Sequence, residues 1–284
     1  MRTTKTLLLG LLAPLAVSAM VPCLNEGGLS YDPMNITARE AKQSLNMLNT
    51  RDTITVDLWI HLLVSGPTSA DGYVDGTGIL NQVAYLQKQY APWGIQFQVK
   101  PISYALNADW AAGIDNDKAE KMRQLHRGDY KSLNIYLVEG ATSGVCSLPI
   151  ANSNPIGQTD LDGDGCFIPL KSGISSTDGT VAHEIGHWFG LLHVFEGGCT
   201  GTDYCDDTNA QAGPSYAHEA TAGDLNSCPA GDSCPDQPGL DNVFNFMDYT
   251  DCAHKFTPCQ GGRMITTFNN YRANRAIQAG VLWK

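Results

Sequence analysis

The chain is short of three things. Beyond its first twenty residues it has no run of about 18 apolar residues, so no spanning helix is expected. It is poor in positive charge: 18 Lys and Arg stand against 29 Asp and Glu, a formal net charge of −11. That balance gives no generic attraction to nucleic acid or to an anionic membrane, and neither is expected as a partner. It also lacks internal repeats and low-complexity tracts, which excludes solenoids and disordered linkers. What remains is 284 residues, 43% hydrophobic and 17% charged, enough for one substantial core in two lobes.

The one apolar stretch opens the chain. Arg2 and Lys5 precede "LLLGLLAPLAV", and "VSA" at 17–19 places small residues where a signal peptidase reads. Residues 1–19 therefore read as a secretory signal peptide, and the run is too short and too broken by Pro14 for an anchor. Loss of Arg2 and Lys5 takes the charge from −11 to −13. Residues 20–50 carry few signals and read as an N-terminal segment, a candidate prosegment. Asn35 heads the single N-x-S/T sequon, a glycosylation site if it is used. A secreted chain with nine cysteines implies disulfides, and the odd number leaves at least one unpaired within a monomer, the expected state. Six of the nine follow His193, so that portion reads as loop-rich and stapled.

From residue 51 the pattern sharpens. "TITVDLWIHLLV" from Thr53 is β-branched and aromatic, a central strand. Ile79, Val83, Leu86 and Tyr90 recur at helical spacing, closed by Pro92 and Gly94. Strand patterns follow at 95–99 and 133–140, with a helical pattern at 117–128 between them. A short strand is expected at Cys166 to Leu170, then a Ser/Thr/Asp/Gly loop in which Thr177 or Asp178 would cap the next helix. "GGRMITTFNNYRANRA" reads as a final helix. The fold class is α+β: an α/β-like upper lobe, 51–190, and an irregular, disulfide-stapled lower lobe, 191–284. "DLDGDG" from Asp160 is not an EF-hand, because loop position twelve is Lys171, and it reads better as an acidic turn.

The chemistry concentrates in "HEIGHWFGLLH", His183 to His193. On a helix, residues four apart share a face, so His183 and His187 can point at one ion. Glu184 is turned about 100° from His183 and can reach a water without ligating the metal. A continued helix would carry His193 roughly 80° off that face and too far along the axis. Gly190 between them can adopt a left-handed conformation and bring His193 back. Three imidazoles leave a fourth position of zinc open, the arrangement of a catalytic site. His61, His126, His218 and His254 match no part of this pattern and read as ordinary structural or surface histidines.

The string H-E-x-x-H-x-x-G-x-x-H resembles the signature of the metzincin zinc peptidases. "NFMDYTD" supplies a matching downstream Met247, with Tyr249 two residues on. Together with "KFTPCQGGRM" these stretches look most like the pappalysin family, in particular its secreted fungal extracellular metalloproteases. Astacins, the nearest alternative, carry Glu after the third histidine where Val194 stands here. The resemblance implies a metzincin fold, a twisted and mostly parallel sheet with backing and active-site helices. It implies zinc on His183, His187 and His193, Glu184 as general base, and internal peptide bonds of proteins as substrate. It also implies Met247 as a structural floor and Tyr249 as a candidate transition-state stabiliser. Substrate would lie extended along the sheet's edge, near Ala141 to Leu148. The resemblance suggests the disulfides Cys146–Cys166 and Cys228–Cys252. "TDYCDDT" falls where relatives carry a calcium-binding G-D-x-V-x-D-T-P stretch. Asp207 and Thr208 match its D-T pair, making calcium a candidate second cofactor, although Cys205 replaces Val and Asn209 replaces Pro. Cys23 is the expected odd thiol, either a zymogen ligand to the zinc or a disulfide partner, but "VPCLNEGG" departs from the family's R-C-G-T context. Asp248 and Asp251 either line an acidic pocket for Arg or Lys or anchor the methionine turn.

Overall fold

The computed structural model describes residues 34–47, 53–114, 118–152 and 155–281, with the backbone alone at 118–120. The signal peptide, Cys23 and most of the 20–50 segment lie outside the described residues. In chain order the elements are α1 (Ala38–Met47), β1 (Ile54–Val64), α2 (Gly76–Tyr90), β2 (Ile95–Val99), β3 (Ser103–Leu106), α3 (Ala108–Ala111), α4 (Lys118–Leu125) and β4 (Leu133–Val138). Then come β5 (Val145–Cys146), α5 (Gln158–Asp162), β6 (Cys166–Pro169), α6 (Leu170–Gly173), α7 (Thr180–Trp188) and α8 (Pro258–Phe268).

The strands form one sheet in the order β2-β1-β4-β6-β5, with β3 pairing β1 as well. The first half of β1 pairs with β2 and its second half with β3 on the same side. All pairings are parallel except β5 with β6. A parallel sheet must be covered on both faces, and the second half of β1, buried from Ile60 to Val64, is apolar except for His61. Val56, Leu58, Ile60, Leu62 and Val64 point to one core with α2 and α7, while Leu63 points to the other with Tyr136, Val138 and Phe167. The short antiparallel β5 lies at the free edge, inside the expected 141–148 stretch.

Helix α2 buries Ile79, Leu86 and Tyr90, leaves Val83 half-buried, and is capped by Asp75, whose side chain accepts from the Thr77 amide at 2.9 Å. Gly94, at φ 66°, turns the chain into β2. The expected cap of α7 falls one residue early. Gly179 occupies the N-cap, and Asp178 Oδ1 accepts from the Thr180 amide at 2.8 Å. The acidic turn at Asp160 forms α5 instead, and Asp164 beyond it is buried.

Two elements were not expected, although Thr37 and Glu40 form a capping box at the start of α1, the Thr37 amide donating to Glu40 Oε2 at 2.8 Å and the Glu40 amide to Thr37 Oγ1 at 3.2 Å. The strand β3 is four residues long with alternate exposure. Helix α1 lies against α8 so closely that a Cβ on Gly262 would sit 1.9 Å from the Ala41 carbonyl oxygen. Arg263 Nη1 donates to the Ile36 carbonyl at 3.1 Å, and Met34 is fully buried. Residues 34–47 are therefore built into the body. Disulfides join Cys146 to Cys166, Cys228 to Cys252, and Cys199 to Cys234. After Gly190 the chain is irregular until α8, and no helix among the described residues is long and apolar enough to cross a membrane.

Candidate active site

Helix α7 is buried along its whole length, with Val181, Ala182, Ile185 and Trp188 in the main core. Such a helix has no solvent to receive its polar side chains, so His183, Glu184 and His187 must be used internally. Gly190 ends it at φ +89°, where a Cβ would lie 2.6 Å from Thr267 Cγ2 and 2.7 Å from Met34 Sδ. The Gly190 amide donates to the His187 carbonyl at 2.8 Å and the Leu191 amide to the Gly186 carbonyl at 2.9 Å. These bonds close the helix end in the manner of a left-handed cap. Arg263 Nε then holds the Gly190 carbonyl at 2.9 Å.

The turn brings His193 back to the helix. His187 Nε2 is 3.1 Å from His183 Nε2 and 3.1 Å from His193 Nε2. His183 Nδ1 donates to the Phe246 carbonyl at 2.6 Å and His187 Nδ1 to the Leu191 carbonyl at 2.8 Å. A ring with Nδ1–H committed to a carbonyl presents a lone pair at Nε2. Two bare lone pairs at 3.1 Å repel unless a cation lies between them. Two nitrogens about 2.0–2.1 Å from one tetrahedral ion stand about 3.3 Å apart, so the spacing fits a shared metal ion. Burial lowers the basicity of all three rings, that of His187 to about 4 and those of His183 and His193 well below the ordinary value. All three are thus neutral and ready to ligate at neutral pH. Among the described residues they form one of two side-chain groups able to hold a metal ion.

Glu184 is fully buried beside the edge strand. Its Oε1 lies where a Cβ on Gly144 would come within 2.2 Å, so the carboxylate packs directly on the backbone leading into β5. The methionine turn closes the site from the other lobe. Met247 is fully buried, and its Sδ would be 2.6 Å from a Cβ on Gly186. Its carbonyl accepts from the Val194 amide at 3.2 Å. The turn is tied to α8 by a reciprocal pair between the Asn245 and Gln260 amides, at 2.9 and 3.1 Å. Tyr249 reaches over His193, with its hydroxyl 3.2 Å from Nε2. Asp248 is buried and accepts from the Ser215 amide at 3.0 Å, the Ser215 hydroxyl at 2.5 Å and the Tyr249 amide at 2.9 Å. Asp251 pairs with His218. Both carboxylates are engaged in holding the turn, which leaves the acidic-pocket alternative without support.

The structure adds residues that the motif does not name. Asp164 accepts both guanidinium nitrogens of Arg272, at 3.0 and 3.1 Å, and the Trp188 indole N–H at 3.0 Å. Arg272 Nε donates to the Trp188 carbonyl at 2.9 Å, and its guanidinium stacks on the Trp188 ring at 3.7 Å. This buried pair clamps the last turn of α7. Gly144 and Gly186 are required by close approach. Gly186 lies inside the motif, where a glycine in the middle of a helix was the available signal. His61 bonds Ser103 and Asn134 inside the sheet layer, at 2.6 and 3.0 Å, and takes no part in the three-histidine cluster.

Comparison with known proteins agrees. The peptidase M43 family, described as pregnancy-associated plasma protein-A, matches residues 116–269, which include the whole of α7 and the methionine turn. An extracellular metalloprotease of Neurospora crassa is 39% identical over 241 residues, covering 81% of this chain and 80% of the relative. One from Colletotrichum graminicola is 41% identical over 233 residues, 78% of each. Among solved structures, mature mirolysin of Tannerella forsythia with a cleaved peptide superposes with a TM-score of 0.58 at 22% identity, over 77% of this chain and 93% of that one. Mirolysin in complex with compound 9 gives 0.60 at 24%, over 78% and 93%. At such identities the likeness concerns the fold. The chain therefore belongs to the M43, or pappalysin, family of zinc metallopeptidases, as an extracellular member with a metzincin fold.

Proposed function

We propose that the protein is a secreted endopeptidase that holds one zinc ion on His183, His187 and His193 and cuts internal peptide bonds with Glu184 as general base. The supporting observation is the convergence of three neutral Nε2 atoms, two of them aimed by Nδ1 bonds to backbone carbonyls. Zinc, when bound, supplies Lewis acidity toward a scissile carbonyl and toward an attacking water. Glu184 takes the proton of that water and passes it to the leaving amine. Its burial against Gly144 holds the carboxylate between the histidines and the sheet edge, where an extended substrate would pair with β5. Tyr249, poised beside His193, donates its hydroxyl to the oxyanion that develops on the substrate. Met247 is a floor and not a ligand, since its sulfur is packed under Gly186.

Purified protein should cleave denatured casein or gelatin, stop on chelation by phenanthroline, and recover on added zinc. Zinc-loaded protein that cleaves neither substrate would overturn this reading in favour of a zinc-bound module that recognises partners without cutting them.

Two smaller assignments accompany it. Calcium draws support from Asp203, not from the expected pair. Asp203 Oδ2 is buried with no hydrogen-bond partner among the described residues, while Oδ1 accepts from the Thr208 hydroxyl at 2.8 Å. Asp207 accepts from the Cys259 amide at 2.9 Å. Added calcium should raise the unfolding temperature measured in EGTA, and an unchanged temperature would remove this assignment. Asn35 is exposed and open to glycosylation, which treatment with an N-glycosidase would reveal as a loss of mass.

A further inference from the structure

Cys205 and Cys259 are the two free cysteines among the described residues, and both are buried. Cys205 lies in the first loop of the lower lobe, and Cys259 is the second residue of α8. Their sulfurs and an oxygen of Asp207 all lie within 4.8 Å of one another. The two cysteines share a small apolar cluster with Ala38 and Ala41 of α1. The loop that carries Cys205 is already closed on itself. The Cys205 amide donates to Asp203 Oδ1 at 3.1 Å, and the Thr208 hydroxyl donates to the Cys205 carbonyl at 3.1 Å. The Asp207 bond to the Cys259 amide ties that loop to the start of α8. The two sulfurs therefore face each other from segments held in place on both sides.

We propose that Cys205 and Cys259 form a fourth disulfide in the secreted protein, stapling the loop behind the metal site to α8. Two thiols packed together away from water are a poor resting state for an extracellular chain, because that compartment is oxidising. The Cys259 thiol beside it, and then burial, push the Cys205 thiol up, so that sulfur is not a ready thiolate once the fold has closed. Oxidation therefore belongs to folding, while the sulfurs are still accessible. A protein or small-molecule disulfide accepts two electrons and two protons and leaves as two thiols, and the bond between the cysteine sulfurs forms in their place.

The competing chemistry is a metal on two thiolates and Asp207. It would require two negative sulfurs in an apolar cluster. The staple would sit at a useful place. On α8, Gln260 holds Asn245 of the methionine turn and Arg263 holds the Gly190 carbonyl. Gln260 follows Cys259 directly, and Arg263 lies about one turn further on. With this bond, eight of the nine cysteines are paired and the odd one, by count, is Cys23.

The proposal does not depend on catalysis, and its test needs no substrate. Protein secreted from a eukaryotic host is denatured and alkylated without reduction, digested, and mapped by mass spectrometry, with metal content measured on the native sample. The expected result is a linked peptide pair containing Cys205 and Cys259, lighter by two hydrogens than the separate peptides, with alkylation confined to Cys23 where that residue is retained. Alkylated Cys205 and Cys259 in the wild-type protein would overturn the proposal. So would a second equivalent of metal that disappears in the Cys205→Ser, Cys259→Ser double variant. That variant should lose the linked pair and unfold roughly 5–15 °C lower. If it does not fold, the wild-type map alone decides.

Discussion

Replacing Gly190 with valine should damage zinc binding although no ligand is touched. Two costs add at this position. The backbone stands at φ +89°, and a β-branched residue there costs about 1–3 kcal/mol. The new Cβ would also meet Thr267 Cγ2 at 2.6 Å and Met34 Sδ at 2.7 Å, closer than real contacts allow. Overpacking of that kind costs about 1–3 kcal/mol more. The turn can shed this strain only by moving, and what moves is the path from His187 to His193. If about 3 kcal/mol is relieved that way, zinc affinity falls roughly 100-fold, since about 1.4 kcal/mol is tenfold. Affinity can be read by competition with a chromophoric chelator, and unfolding temperature by calorimetry. A second background separates the two costs. Thr267→Ala removes the nearer neighbour, so Gly190→Ala should bind zinc better there than alone. Wild-type affinity and unfolding temperature in Gly190→Val would refute the reasoning.

Other perturbations bear on the supports of the site. Arg272→Met leaves the buried Asp164 without its counter-ion, a loss of about 3–5 kcal/mol that should lower the unfolding temperature by about 10 °C; a shift below about 2 °C would mean that the pair does not clamp α7. Gly144→Ala places a Cβ 2.2 Å from Glu184 Oε1 and should reduce kcat by about 100-fold with zinc content unchanged, and steady-state kinetics beside metal analysis would check it. His61 has its basicity lowered to about 4 by burial, so its folded value lies below its unfolded value of about 6.5. Such a group favours the fold above pH 6.5, and that contribution is lost as pH falls through the window from 6.5 to 4. It amounts to about 3 kcal/mol. Denaturant titrations of wild type and His61→Gln across that window should show the steeper fall in the wild type, and parallel curves would contradict the assignment.

The parts of the site that could be read from sequence are those fixed by short-range geometry. Three histidines and a glutamate are placed by the 3.6-residue turn and one left-handed glycine, all within eleven residues. Strands β1 and β4 are visible because burial on two faces forces a largely apolar run, and β2 because burial on one face forces an alternation. The remainder depends on contacts that no local pattern encodes. The clamp on Trp188 joins Asp164 to Arg272 across 108 positions, and neither residue is unusual in its own stretch. Gly144 and Gly186 are glycines because another chain segment passes within reach of where a side chain would be. Helix α1 buries only Ala41 along its own length. Its place is set by Gly262 on α8, and by carbonyls just before it that bond Arg263 and Tyr271. Val83, expected in the core of α2, is only half-buried, and Gln82 is buried instead, with its amide 3.4 Å from the Asp178 carbonyl. The α2 interface is thus rotated slightly toward α7.

The central claim separates holding the metal from using it, and Glu184→Ala tests that separation directly. Glu184 is adjacent to one histidine but makes no part of the three-nitrogen cluster. The purified variant should carry one zinc per chain by elemental analysis and cleave casein at least 1,000-fold more slowly than wild type, roughly 4 kcal/mol of lost barrier reduction. Cleavage at the wild-type rate by the zinc-loaded variant would contradict the account.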